Sequence, residues 1–188
     1  MTVLSLSTFS QTTEKLKIDS LKNLATHLKG SERINCLNLL ARNISTAHLN
    51  LNERADSIYY YASAANNEAN KIGYKKGIAA SLMNLADYEQ MKALGWRING
   101  KDDAEAQKEV EKYLTQSITL AEKIHDYETL GYTYMFWADM VYVKNKYVEN
   151  EARNIYRKKS IDNFNKAGNE SQEGKLCTWL SESYIATG

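Results

Sequence analysis

The residues of this chain that could do acid–base chemistry are few and scattered. His125 and Asp126 are adjacent, while Asp87 and Asp139 stand at matched places of a stretch that occurs more than once. His125 and Asp126 fall at a predicted helix junction, where an aspartate usually caps a helix. Asp87 and Asp139 would lie about 10 Å apart at the backbone if successive units stack at helix-packing distance. That separation favours two carboxylates lining a groove over a catalytic pair that shares one proton.

Sequence motifs of known catalytic and metal sites are missing. The chain contains no G-x-S-x-G, no phosphate-binding P-loop and no H-E-x-x-H. Cys36 and Cys177 lack a second Cys or a His at metal-ligand spacing, and we predict that both stay unpaired. We therefore predict no enzymatic activity, no cofactor and no metal site; a helical hydrolase or lyase is the alternative.

Charge and hydropathy argue against two further classes of partner. The net charge is +1, with 24 basic and 23 acidic residues interspersed, so the basic field that a phosphate backbone demands is not expected. No run of 18 apolar residues is long enough to cross a bilayer. We predict no nucleic-acid binding and no membrane segment within these residues.

Helical periodicity dominates the sequence and predicts an all-α fold. The chain contains no proline, which long helices tolerate. Gly30 and Gly73 follow helical segments, where glycine readily takes the left-handed conformation that ends a helix. Short links should make successive helices antiparallel neighbours within one domain, residues 13–188. The eight predicted helices lie near residues 13–29, 31–49, 52–72, 75–94, 102–125, 127–145, 147–167 and 170–187.

The first twelve residues are predicted to form an N-terminal tail. The segment MTVLSLSTFSQ lacks the Lys or Arg that begins a signal peptide. Its short apolar part, followed by the polar TTEK, is nevertheless typical of the end of a signal peptide and its cleavage zone. Two interpretations stay open: a signal-peptide remnant and a loosely ordered N-terminus.

A stretch of about twenty residues recurs along the chain. The copies are Ala69–Tyr88, Ala121–Met140 and Phe164–Ser183, with a fainter one at Gly30–Asn43. A large residue followed by a small one lets a neighbouring helix approach closely. Each helix pair leaves an apolar flank that only the next pair can cover, so the units should stack into a solenoid. The matched large–small pairs are Leu40-Ala41, Leu85-Ala86, Trp137-Ala138 and Leu180-Ser181.

The segment KIGYKKGIAASLMNLADYEQ resembles a tetratricopeptide repeat (TPR). Leu85-Ala86 stands where that family has Leu-Gly, and Ala65 and Ala69 stand where its second helix has small residues. The likeness covers roughly residues 30–188 and implies about eight helices, in antiparallel pairs stacked as a right-handed superhelix. The chain departs from the family in repeats longer than the usual length of about 34 residues. It also lacks the proline that often ends the second helix.

The segment Lys15–Ala41 resembles the entry to the TPR sensor segments of bacterial two-component kinases and helix-turn-helix regulators. This resemblance implies a sensing or partner-binding module of a larger bacterial signalling protein, in an extracytoplasmic or periplasmic location. The alternative is a free-standing cytoplasmic adaptor or scaffold of the same fold.

The resemblance also implies a binding groove. In TPR proteins one face of each first helix lines a concave groove, and here that face would combine aromatic and Met anchors with orienting polar groups. We therefore expect a protein or peptide as the partner, unless these residues pack against a neighbouring helix instead. The predicted groove residues are Asn35, Asn38, Arg42, Met83, Asp87, Gln90, Tyr132, Met135, Asp139, Tyr142, Lys175 and Glu182, with Thr178 on the same face.

The eighth predicted helix would be the first of a pair whose second helix is missing from the sequence. Trp179, Leu180, Tyr184 and Ile185 lie within two turns of each other, and an exposed apolar patch of this kind marks an interface. We expect either that the chain is a fragment of a longer protein or that it self-associates through this end.

Overall fold

A computed structural model describes the backbone of residues 3–47, 50–144 and 151–187, and the side chains of residues 15–47, 50–141 and 151–183. These residues form eight α-helices and no strand, so the predicted all-α class is confirmed. The helices are α1 (Val3–His27), α2 (Gly30–Ser45), α3 (Leu51–Ile72), α4 (Lys75–Ile98), α5 (Ala104–Ile124), α6 (Tyr127–Lys144), α7 (Glu151–Lys166) and α8 (Glu170–Thr187).

The helix boundaries agree with the sequence within a few residues, except at two places. The first helix begins at Val3, so most of the segment expected as a tail is helical. Helix α4 runs to Ile98, through residues predicted to be a loop. It ends where Gly100 takes a left-handed conformation (φ 68°) and the Lys101 N–H donates to the Trp96 carbonyl. Gly95 inside the helix is tolerated, because one glycine weakens a helix by only about 1 kcal/mol.

The chain divides into two compact units, Met1–Tyr113 and Leu114–Gly188. In the first unit α1 packs on α2, α2 on α3 and α3 on α4, and α2 also contacts α4. In the second unit α6 packs on α7 and α7 on α8. Within each unit, the packing of consecutive helices is consistent with stacked helical pairs.

The core of the first unit is built on a stripe of alanines. Ala62, Ala65 and Ala69 on α3 are fully buried at helical spacing. Because alanine side chains are short, α2 and α4 can both lie close to α3. Larger side chains of the same core fill the remaining space, among them Ile34, Leu40, Ile44, Ile58 and Leu85.

A glycine sets the helix packing of the second unit. Gly131 on α6 lies directly under the buried ring of Phe164 on α7, and a Cβ atom at Gly131 would lie 2.7 Å from that ring. The Ser160 hydroxyl of α7 donates to the Gly131 carbonyl at 2.6 Å. The two helices are therefore in contact at the backbone level.

The junctions of the recurring stretch share one turn. Gly73, His125 and Gly168 occupy the same column of the alignment, and all three are left-handed, with φ of 67°, 56° and 69°. In each turn the next residue donates its N–H to the first carbonyl of the aligned stretch at 2.9 Å, closing the helix as in a Schellman motif. The donor–acceptor pairs are Tyr74 to Ala69, Asp126 to Ala121 and Asn169 to Phe164.

Candidate functional site

Two buried side-chain amides join α2 to α4 in the first unit. Each of these helices is the first member of a predicted helix pair. Asn38 and Asn84 are 3% and 1% exposed. The Asn38 Nδ2 donates to the Gly77 carbonyl at 3.1 Å. The Asn84 Nδ2 in turn donates to the carbonyl and to the Oδ1 of Asn38, at 3.1 Å each. Since an unsatisfied buried amide is costly, this closed network fixes how α2 lies along α4.

The predicted groove residues of the first unit do lie on these two neighbouring helices, but at different depths. Asn35 is exposed and its Oδ1 accepts from the Tyr74 hydroxyl at 3.1 Å, while Arg42 and Gln90 are half-buried. Asn38, Met83 and Asp87 are buried. Of these three, Asn38 holds α2 to α4 through its hydrogen bonds, and Asn35, Arg42 and Gln90 are the accessible members of the set. A role for any of the six in binding a partner stays a prediction.

In the second unit the predicted residues of α6 are partly accessible. The Tyr132 ring meets the Phe164 ring edge-on, with centroids 4.9 Å apart. Met135 is half-buried, and the exposed Asp139 accepts from the Arg153 Nη2 at 3.3 Å. The side chain of Tyr142 lies outside the described residues. On α8, Lys175, Thr178 and Glu182 are exposed.

A cavity of about 370 Å³ in the first unit was not predicted from the sequence. Helices α3 and α4 line it, with Tyr88, Lys92 and Trp96 on one wall. The Lys92 ammonium lies 5.7 Å and 5.1 Å from the centroids of the two rings. Burial pulls the pKa of Lys92 down, but its hydrogen bond to Glu89 and the nearby negative charge raise it above the ordinary value. Lys92 is therefore charged and presents a cation between two aromatic faces.

A second cavity, of about 430 Å³, lies in the second unit. It is lined by residues at the end of α5, on α6 and on α7. Lys159 lies 5.2 Å from the Tyr134 centroid and Lys166 lies 5.6 Å from the Tyr127 centroid. Burial, together with the charge of Glu122, raises the pKa of Tyr134, whose hydroxyl donates to Glu122. The 13 tyrosines of the chain indicate that some aromatic rings must lie at the surface. They do not indicate which lysine lies over which ring.

Asp126, one of the acid–base candidates, has a structural role. The Thr129 hydroxyl donates to Asp126 Oδ2 at 2.5 Å, and Asp126 is buried at the start of α6, as expected of a helix cap. Cys36 is buried, its Sγ lies 3.4 Å from the Leu21 carbonyl, and burial raises the pKa of its thiol. Cys177 is exposed.

The described part of the chain contains neither a metal-binding cluster nor a membrane-spanning helix. No three or more of its His, Cys, Asp and Glu residues are grouped so that they could hold a metal ion. None of its helices combines the length and apolar character needed to cross a membrane.

Comparisons of the chain with protein-family models, with curated proteins and with solved structures gave no match.

Proposed function

We propose that this chain is a TPR-like module that binds a protein or peptide, and that it serves as the sensing or partner-binding part of a larger bacterial signalling protein. The observation that carries the proposal is the α2–α4 contact. The buried amides Asn38 and Asn84 hold two first helices side by side, which is the arrangement that a groove lined by first helices requires. The left-handed turn shared by three junctions supports the same repeat.

The accessible part of this face has the chemistry to recognise an extended peptide. Asn35 and Gln90 carry amides, which both donate and accept, as peptide groups do. Arg42 carries a guanidinium, which suits an acidic side chain or a terminal carboxylate. We therefore infer that the first unit prefers peptides with at least one carboxylate.

The second unit offers a different surface of its own. Tyr132 and Met135 provide apolar contact, and the exposed Asp139, which is paired with the buried Arg153, provides a carboxylate. Aromatic and Met side chains are enriched among residues that dominate interface energies. This surface is the more apolar of the two.

The proposal is tested by selecting ligands from a displayed library of random peptides against the full chain. The affinity of each selected peptide is then measured by fluorescence anisotropy for the wild type and for variants. We expect Arg42→Glu to weaken binding of carboxylate-bearing peptides by about tenfold or more, because the reversed charge repels the ligand carboxylate. The matched control is Lys71→Glu, the same charge reversal at an exposed position of α3.

Three results would contradict the proposal. One is the absence of any selected peptide. Another is an equal loss of affinity in the α3 control. The third is a set of peptides whose affinity depends on Trp96→Ala but not on Arg42→Glu, which would place binding in the α3–α4 cavity. Circular dichroism of each variant checks that the fold is retained.

A further inference from the structure

Helix α8 has a face that its counterparts keep buried. Helices α2, α4, α6 and α8 can be aligned on the recurring stretch. Two of the aligned positions hold small or apolar residues that are buried in α2, α4 and α6. In α8 the same positions are exposed, and no atom outside the helix backbone lies within 4 Å of a Cβ built at Gly174. The buried members are Ile34 and Ala41 in α2, Ala79 and Ala86 in α4, and Gly131 and Ala138 in α6; the exposed members are Gly174 and Ser181.

Helix α7 shows what covers such a face. Phe164 lies on Gly131, and Ser160 donates to the Gly131 carbonyl. Tyr156 stacks near Tyr134, with ring centroids 6.3 Å apart. The covering helix therefore presents a large residue, a serine and a second large residue, each four positions after the last, which places them on one helix face.

The outer face of α1 repeats this pattern, and its described residues are exposed. Leu16 is 63% exposed, Leu24 is 47% exposed, and Ser20 between them is exposed as well. These residues have the same large–Ser–large order at the same spacing of four. The opposite face of α1, with Ile18 and Ala25, is the one buried in the core of the first unit.

The two helices also carry opposite charge. Over its full length α1 has three lysines, one glutamate and one aspartate, a net charge of +1, whereas α8 has three glutamates and one lysine, a net charge of −2. Opposite fields steer association and penalise contacts between like faces. The charged residues are Glu14, Lys15, Lys17, Asp19 and Lys22 in α1, and Glu170, Glu173, Lys175 and Glu182 in α8.

We propose that α1 of a second copy of this chain covers the open face of α8. Leu24 of the second copy lies on Gly174, its Ser20 packs beside Gly174, and its Leu16 lies near Cys177. The contact is heterologous, because it joins two different surfaces. Each pair therefore leaves one α1 and one α8 open, and further copies extend the assembly into a ring or a filament.

The test is sedimentation velocity of the full chain over a wide range of concentrations. We expect association that grows with concentration and weakens with salt. Leu24→Glu and Ser181→Arg should each raise the dissociation constant by about tenfold or more, because each places a charge against the like-charged partner helix. The matched control is Leu39→Glu on α2, where the leucine is 39% exposed, and it should associate as the wild type does.

Mixing the two variants separates this contact from a symmetric one. The Leu24→Glu chain keeps its α8 face and the Ser181→Arg chain keeps its α1 face, so the mixture should form a 1:1 pair and nothing larger. Cys177 should react more slowly with iodoacetamide as the wild-type concentration rises, whereas Cys36 should not change. A charge reversal and its compensation repeat the test by charge alone. Lys17→Glu should weaken association, and the further substitution Glu182→Lys in the same chain should restore it.

Two outcomes would overturn the proposal. A wild-type chain that sediments as a monomer at every concentration shows that no second copy covers α8. Loss of association in Ser181→Arg with none in Leu24→Glu shows a symmetric α8–α8 contact instead. Circular dichroism melts of all variants confirm that a change in association is not a loss of fold.

Discussion

At the scale of single residues, the predicted burial of Leu85, the large residue of the Leu85-Ala86 pair, can be tested directly. Leu85 is buried in the core of the first unit, beside the alanine stripe of α3. We expect Leu85→Ala to lower the free energy of unfolding by about 2–5 kcal/mol, since it removes buried methyl groups and leaves a cavity. Denaturant unfolding followed by circular dichroism measures the change.

The matched control for that experiment is Leu39→Ala on α2. Leu39 is an exposed leucine in a neighbouring helix of the same unit, so its truncation should cost at most about 1 kcal/mol. An unchanged transition in Leu85→Ala would place Leu85 at the surface and would contradict the alignment of the repeats.

Residue type alone did not reveal which polar groups are buried. The sequence pattern predicts Asn38 on a groove-lining face and does not distinguish Asn84 from its neighbours. The structure buries both in one hydrogen-bond network between α2 and α4. A period of 3.6 residues assigns a residue to a helix face, but the depth of that face depends on how far each helix is rotated toward its neighbour, which a single sequence does not encode locally.

At the scale of helices, the junctions were the most predictable feature. Gly30 and Gly73 are predicted helix ends, and both adopt positive φ, as does Gly168. His125 takes the same conformation without being glycine, and there only the alignment with Gly73 points to it. A β-carbon in this region is disfavoured by about 1–2 kcal/mol, so the surrounding turn must hold His125 in place.

Two glycines of one column allow a paired prediction about helix packing. Gly131→Ala should destabilise the protein by about 1–3 kcal/mol, because the new methyl group would overlap the buried Phe164 ring. Gly174→Ala should stabilise it by about 0.5–1 kcal/mol, because alanine favours a helix and meets no atom there.

Urea unfolding of the two alanine variants, at a concentration below that of self-association, provides the measurement. Equal effects at both positions would mean that α7 does not approach α6 as closely as the structure indicates.

At the scale of the whole molecule, helical periodicity and the helix-ending residues were sufficient to predict the all-α class and eight helices. The division into two compact units was not predicted. Local periodicity locates helices well, but it carries no information on where contacts along the chain become sparse. The surface cavities escaped prediction for the same reason, since each is formed by side chains from helices that meet only after folding.

The contact pattern and composition together predict simple refolding. The chain has no proline, and the contacts described within each unit join helices that are close in sequence. Refolding should finish within about a second, as is typical of helical proteins rich in local contacts, and added prolyl isomerase should not change its rate. Stopped-flow circular dichroism at low protein concentration measures this, and a phase of tens of seconds would contradict it.

The Asn38–Asn84 pair has a consequence for recombination and protein engineering. A chimera that took α4 from another protein would leave the Asn38 amide without Asn84 as its hydrogen-bond partner. A shift of either helix by one turn would have the same effect. Transplanting α2, α3 and α4 together keeps both amides satisfied. The smallest exchangeable segment here is therefore three helices rather than one helical pair, which sets how such a chain could be shuffled or extended without loss of stability.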